Sequence, residues 1–198
     1  MQAIGVLALQ GDFAAHQHRL EALGVPVLQV RKPAELEQVA GLVIPGGEST
    51  TLLKLLQADD FLPALDRFHA AQKPIFGTCA GLILLAREVS DPAQFSLGYI
   101  DIAAQRNAYG RQRESFETIG EITLYEKREP LPMVFIRAPR ITRVGKGVTV
   151  LGTHRSEPVL AREGSVLVAS FHPELTDQET IHRYFLQMVR DWIEKKRE

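Results

Sequence analysis

Hydrophobic residues in the first half of the chain fall into short unbroken runs, Ala3 to Leu9, Val25 to Val30, Gly41 to Ile44 and Pro74 to Gly77, each bounded by glycine, proline or charge. A run of that length without alternation marks a strand covered on both faces, as in a parallel sheet. Between these runs apolar positions recur at helical spacing over Asp12 to Leu23, closing at Gly24, and over Pro33 to Ala40, Ser49 to Gln57, Phe61 to Ala71 and Ala80 to Glu88. Strand and helix in alternation predict an α/β sheet.

Past Glu88 the pattern changes. Leu97 to Gln105, Phe116 to Tyr125, Met133 to Arg137, Val148 to Leu151 and Ser165 to Phe171 read as strands separated by turn-rich loops, with no helix evident among them. Thr176-Asp177-Gln178-Glu179 then reads as a capping box, and Ile181, Phe185, Met188, Val189 and Trp192 recur at helical spacing, so a terminal amphipathic helix covers the sheet. The Lys195-Lys196-Arg197 run suits the negative end of that helix. No repeat, low-complexity tract or linker divides the chain. The expectation is one domain over residues 1–198, flavodoxin-like, with a mainly parallel sheet flanked by helices and active loops at the carboxyl ends of the strands.

Composition narrows the function. The 198 residues are 45% hydrophobic and 24% charged, ordinary for one globular domain. A chain of this size buries about 70% of its extended surface and needs no metal or disulfide to fold. The 23 Lys and Arg against 24 Asp and Glu give a net charge of -1, which argues against a nucleic-acid protein. Cys79 is the single cysteine, so no intrachain disulfide is possible. No apolar run approaches the ~20 residues of a membrane span, and Met1-Gln2-Ala3-Ile4-Gly5 lacks the basic start of a signal peptide, so a cytoplasmic location is expected.

The chemistry concentrates in three places. Lys73 to Leu85 reads as an apolar strand, then Gly77-Thr78-Cys79-Ala80-Gly81, then an apolar helix: a nucleophile elbow with sulfur in place of oxygen. The glycines would permit the tight turn, and the helix N-terminus would favour thiolate. The bland alternative is a buried cysteine acting as a small hydrophobe. A cysteine nucleophile needs a base, and His172 in Ser170-Phe171-His172-Pro173-Glu174 follows a core strand directly, with Glu174 two residues on and able to orient the ring. Cys79, His172 and Glu174 thus make a candidate triad, although His-Pro-Glu by itself is more commonly a strand-to-helix turn. Third, Pro45-Gly46-Gly47-Glu48-Ser49-Thr50 follows another apolar strand. The Gly47 N–H, paired with that of Ala80, could form an oxyanion hole, while Ser49 or Thr50 serves as a helix cap. The loop lacks the Gly-Lys-Ser/Thr ending of a phosphate-binding P-loop.

In that order, these segments resemble a class I, triad-type glutamine amidotransferase. Gly5 to Gly11, Arg106-Asn107-Ala108-Tyr109-Gly110-Arg111-Gln112 and Phe135-Ile136-Arg137-Ala138-Pro139 narrow the resemblance to the glutaminase subunits of pyridoxal 5'-phosphate synthases. It runs nearly end to end. Residues Val89 to Gln94 and Arg143 to Glu163 match least and carry none of the proposed chemistry. The resemblance implies that Gly47, Glu48, Ser49, Arg106, Ile136 and Arg137 contact the substrate L-glutamine. Arg106 and Arg137 suit a carboxylate, though either alone reads as a solvated surface residue. It further implies a separate synthase subunit that receives unprotonated ammonia and orders the oxyanion hole, with the Gln10-Gly11 loop near that partner; a flip of the Gly46-Gly47 peptide would serve as the switch, since glycine tolerates both orientations.

No cofactor and no metal are expected. His16 and His18 sit two apart on a helix and do not share a face, so they read as solvent-side residues, and His69, His154 and His182 carry no role. Two alternatives stay open: a partner-independent cysteine peptidase or amidase on the same fold, and a non-catalytic scaffold subunit.

Overall fold

The computed structural model describes residues 2–106, 108 and 115–197. Its strands are β1 (Ala3–Leu7), β2 (Val27–Val30), β3 (Val39–Ile44), β4 (Ile75–Thr78), β5 (Ala86–Ser90), β6 (Ile100–Gln105), β7 (Ser115–Leu124), β8 (Lys127–Ile136), β9 (Arg140–Val144), β10 (Thr149–His154), β11 (Glu157–Glu163) and β12 (Val166–Ala169). The helices are α1 (Phe13–Ala22), α2 (Ser49–Ala58), α3 (Phe61–Ala70), α4 (Ala80–Leu85) and α5 (Thr180–Lys195). Nine strands form one sheet in the order β2-β1-β3-β4-β12-β11-β10-β7-β8, and β5-β6-β9 form a second, smaller one. From β2 to β12 every pairing is parallel, and from β12 to β8 every pairing is antiparallel. The α/β domain expected from sequence is present, its parallel half extended by an antiparallel one.

The apolar runs become strands because both faces are covered. Leu42, Ile44, Ile75, Val166 and Val168 face a core shared with α2, α3, α4 and the small sheet. Ile4, Val6, Val43, Phe76, Leu167 and Ala169 face a second core shared with α1, α5 and the β7–β8 hairpin. Alternation along each strand thus sends successive side chains to opposite apolar layers. Helix α5 crosses β3 at Gly41, where a Cβ would lie 2.6 Å from Val189 and 3.1 Å from Phe185.

Several elements differ from the sequence expectation. Pro33 to Ala40 is a 3-10 turn over Pro33–Gln38, and Val39 and Ala40 already belong to β3. The Glu35 carboxylate accepts from the Arg31 and Lys32 N–H groups at 2.7 and 2.9 Å, and the Lys73 ammonium donates to the Val39 carbonyl at 2.8 Å, so the segment is capped at both ends. Helix α4 stops at Leu85, and Ala86 to Ser90 form β5. There the Leu97 and Gly98 N–H groups take the carbonyls of Leu84 and Ala86 at 2.7 and 3.1 Å. The Thr176 capping box does not form: Thr176 Oγ1 donates to the Pro173 carbonyl at 3.1 Å, and α5 begins at Thr180 with no side-chain cap.

Phe185 is fully buried between α5 and the sheet. Phe185→Ala is expected to lower the unfolding free energy by about 3–5 kcal/mol, read as a reduced urea midpoint at unchanged slope.

Candidate active site

Pairing of β4 with β3 and β12 aligns Ile44 with Gly77 and Ala169 with Thr78, so the chain leaves three neighbouring strands at one edge. Cys79 stands at that exit with φ 47° and ψ -98°, a left-handed conformation in a residue that has a Cβ. Its N–H donates to the Ala169 carbonyl at 2.9 Å, and its carbonyl accepts from the Ile83 N–H at 3.2 Å, which fixes the bend from both sides. Cys79 itself therefore carries the backbone strain. The flanking glycines serve close packing: a Cβ on Gly77 would lie 2.7 Å from the Gly81 backbone, and one on Gly81 only 2.2 Å from the Ile44 carbonyl oxygen.

His172 and Glu174 are buried beside it. The His172 N–H donates to the Val134 carbonyl at 2.7 Å, anchoring the loop to β8, and Pro173–Leu175 form one 3-10 turn. His172 Nδ1 lies 2.7 Å from Glu174 Oε1. The carboxylate makes Nδ1 the donor, which leaves Nε2, without a hydrogen bond among the described residues, for the thiol side. A Cβ on Gly46 would meet His172 Cε1 at 2.4 Å and Cys79 Cβ at 3.4 Å, so this glycine, the imidazole and the thiol share one point. Cys79 Sγ lies 3.8 Å from the Ile136 carbonyl.

Burial opposes a charge on His172, but its interaction with the nearby Cys79 thiol and its hydrogen bond and attraction to Glu174 outweigh that and hold its pKa up at about 10. Burial likewise raises Glu174, and the adjacent His16 and His172 bring it below the usual carboxylate range.

The glycine loop is held from β1. Gly47 has φ 149°, which favours glycine, and a Cβ there would run into the Gln10 amide at 2.4 Å. Gln10 Oε1 accepts from the Glu48 N–H, and the Gly46 carbonyl accepts from the Asp12 N–H, both at 3.1 Å. Glu48, and not Ser49 or Thr50 as expected, caps α2, its carboxylate accepting from the Thr50 and Thr51 N–H groups at 3.1 and 2.7 Å. These bonds hold its pKa low against the opposing effect of burial. Arg106 donates to Thr50 Oγ1 at 3.0 Å and lies 3.6 Å from Glu48, so it belongs to the α2 end of the site. Ala80 opens α4, where its N–H has no acceptor within the helix. Ile136 ends β8 and Arg137 follows it with φ 44°. Within the Arg106–Gln112 motif, Asn107 and residues 109–112 lie outside the described residues.

Three side chains depart from the sequence reading. Gln94, in a segment assigned no chemistry, accepts from Ser49 Oγ at 3.1 Å and from Thr50 Oγ1 at 3.3 Å, bracing the α2 N-terminus. His16, expected in solvent, is fully buried, as is His182. His16 Nδ1 lies 3.0 Å from His182 Nε2, and His16 Nε2 lies 3.1 Å from Thr78 Oγ1 and 3.3 Å from Glu174 Oε2. The signal was periodic: His16 shares a helix face with Leu20, and His182 shares one with Phe185, Leu186 and Val189. As for metals, Asp12, His172 and Glu174 bring ligand-type atoms within 4.8 Å of one another, but His172 Nδ1 is already engaged by Glu174.

Known structures place this fold among the glutamine amidotransferases. A crystal structure of a glutamine amidotransferase matches with a TM-score of 0.88 at 45% identity, over 94% of this chain and 98% of that one. A glutamine amidotransferase from Thermotoga maritima shares the fold at a TM-score of 0.62 and 14% identity, over 100% of this chain and 86% of that one. Residues 6–191 match the SNO glutamine amidotransferase family, to which this chain belongs. The pyridoxal 5'-phosphate synthase subunit PdxT of Thermosipho africanus is 52% identical over 187 residues, covering 94% of this chain and 98% of the relative. The same subunit of Koribacter versatilis is 54% identical over 188 residues, covering 95% and 96%.

Burial lowers the pKa of His16, and holds His182 down at about 3, so both rings are neutral in the folded chain. In the unfolded chain they titrate near 6.5. Unfolding then takes up protons, and stability is lost as pH falls from 6.5 towards 3. Melting temperature is expected to decline across that range, with a shallower slope in His182→Phe; equal slopes in the two chains would remove His182 from the effect.

Proposed function

We propose that this chain hydrolyses L-glutamine to L-glutamate and ammonia, and delivers the ammonia to a separate synthase subunit that makes pyridoxal 5'-phosphate. The observation that carries the reading is the Cys79 elbow facing a buried His172–Glu174 pair, in a chain whose family and relatives are glutamine amidotransferases and PdxT subunits. The Cys79 thiolate attacks the side-chain amide carbon, and the Gly47 and Ala80 N–H groups receive the oxyanion. His172 gives its proton to the departing nitrogen, so ammonia leaves and a γ-glutamyl thioester remains. Water, deprotonated by His172, attacks the thioester carbon, and the thiolate returns with release of glutamate. Glu174 holds the imidazole through Nδ1 and balances its charge.

Substrate recognition follows the α2 end of the site. Glu48, Ser49 and Arg106 are joined through Thr50 and Gln94, with Gly47 next to Glu48 in the same loop, and the Ile136 carbonyl lies against the Cys79 thiol with Arg137 following it. A free amino acid offers a carboxylate for a guanidinium and an ammonium for carboxylate or carbonyl oxygens. The Gly46 carbonyl is tied to the Asp12 N–H, so turning the Gly46-Gly47 peptide breaks that bond. This supports a hole that a docked synthase subunit completes. A scaffold role gains nothing from a buried imidazole–carboxylate pair beside a strained cysteine, since burying such a pair is costly.

The test is glutamate and ammonia release from glutamine by the purified chain, alone and with the synthase subunit added. Stimulation by the synthase is expected, together with a loss of about 10³-fold or more in Cys79→Ala, while glutamine binding persists. Glutamine turnover retained in Cys79→Ala would remove the thiol from the mechanism. Cleavage of peptides without the synthase would favour the peptidase reading.

A further inference from the structure

The proposed triad leaves one oxygen of its acid unaccounted for. Glu174 Oε1 is taken by His172 Nδ1, while Oε2 is buried and makes no hydrogen bond among the described residues. The side chain facing Oε2 is His16, whose Nε2 stands 3.3 Å away and also lies 3.1 Å from Thr78 Oγ1. A carboxylate only accepts, so a proton on His16 Nε2 avoids setting two lone pairs against each other at 3.3 Å, and Nδ1 then carries the lone pair. His182 Nε2, 3.0 Å from that lone pair, is then the donor. One assignment of protons fits the row: His182 Nε2–H donates to His16 Nδ1, His16 Nε2–H donates to Thr78 Oγ1 and faces Glu174 Oε2, and His172 Nδ1–H donates to Glu174 Oε1, leaving His182 Nδ1 without a partner among the described residues.

We propose that His16 is a positioning residue for the glutaminase reaction, holding Glu174 through its second oxygen, and that His182 fixes the tautomer His16 needs for that task. The inference rests on the triad reading of Cys79, His172 and Glu174. Rotation of the Glu174 carboxylate moves both oxygens together, so anchoring Oε2 sets where Oε1 meets His172, and hence where Nε2 of that ring points. Both outer imidazoles pack edge-on against Phe76, with interplanar angles of 88° and 83°, on the strand that leads directly into Cys79. The row is therefore braced against the same β4 that positions the thiol. It is also anchored on separate elements: α1 supplies His16 and α5 supplies His182. Arg19 of α1 donates to the Glu174 carbonyl at 3.2 Å, fixing the backbone of the same residue.

Removing the donor has a direction in pH. His16 is faced by Glu174 and His172 from the loop after β12, by Thr78 from β4, by His182 from α5, and by Asp12 at the cap of its own helix, while Arg19 of that helix acts on His182. Without the Nε2–H, the Glu174 carboxylate loses a stabilising partner and protonates at higher pH, and a protonated Glu174 no longer supports the imidazolium of His172.

The experiment measures glutamine hydrolysis by the chain with its synthase subunit over a range of pH, for wild type, His16→Leu, His16→Gln and His182→Phe, with Cys79→Ala as reference. His16→Leu is expected to lower kcat by about 10- to 100-fold, as loss of an outer-shell partner does elsewhere, with KM for glutamine unchanged. The acid limb of its kcat/KM profile should move upward by about one pH unit. His16→Gln, whose amide N–H reaches the Nε2 position, should recover most of kcat and the wild-type limb. His182→Phe touches no member of the triad and should move the same limb the same way by less. A purely structural His16 would lower the melting temperature of the variants without displacing the limb. Unmoved limbs in His16→Leu and His182→Phe, with Cys79→Ala inactive, would overturn this inference alone. Should His16→Leu not fold, an unmoved limb in His182→Phe overturns it by itself. Turnover persisting in Cys79→Ala would instead overturn the triad reading beneath it.

Discussion

The site depends on how closely helix α4 can be laid over strands β3 and β4. For Cys79 to stand at the strand edge, α4 must start at once, and its second residue then touches the Ile44 carbonyl while Gly77 touches the first turn from below. Glycine at 77 and 81 is the only side-chain choice that leaves those backbones in place. With the crossing fixed, Cys79 is driven to φ 47°, a conformation that costs about 1–3 kcal/mol. Two backbone hydrogen bonds and fully buried neighbours, Thr78 and Ala80, hold it there. The strain is local, and the parallel ladder through β3, β4 and β12 bears it.

Electrostatics add a second constraint. A carboxylate buried as deeply as Glu174 must be paired, because an unpaired one in that environment is severely destabilising. Three imidazoles lie in the same row, and only His172 is favourably charged. Burial and repulsion from His172 keep His16 neutral, and His16 in turn opposes a charge on His182. Two adjacent cations in so low a dielectric would repel strongly, so a single proton in excess is the stable arrangement. The charge rests on the ring that faces the thiol.

Much of this was legible in the sequence. The unbroken apolar runs gave β1 to β4 and β12, and Cys79, His172, Glu174 and the Gly46-Gly47 loop could be named because each follows one of those strands directly. The antiparallel half was harder to read. Two of its hairpins turn on Tyr125-Glu126 and Arg155-Ser156, residues with positive φ and no glycine to announce them, while the third, from β11 to β12, turns at Gly164; β8 carries Pro130 and Pro132, tolerable because it is an edge strand. Helix α4 was overextended because Ala86 to Ser90 has no breaker; long-range bonds from Leu97 and Gly98 end the helix. His16 was misplaced and His182 left without a role by chemistry, since histidine counts as polar until a partner 166 positions away is known. Their helical phase already put them on the apolar stripe.

Gln94 and Gln10 show the same limit from the other side. Neither lies in a motif that carries the reaction, yet one braces Ser49 and Thr50 and the other takes the Glu48 N–H beside Gly47. Both are amides, able to accept from the loop while offering N–H groups of their own, and they support the short segment between β3 and α2 from opposite ends. Helix α1 joins this support to the triad. Its cap residue Asp12 binds the Gly46 carbonyl, its first full turn places His16 against Glu174, and Arg19 holds the Glu174 backbone. A force applied to α1 therefore reaches the glycine loop through one hydrogen bond and the triad acid through two contacts. The loop that would bind the oxyanion and the acid that orients the base consequently share one mechanical support.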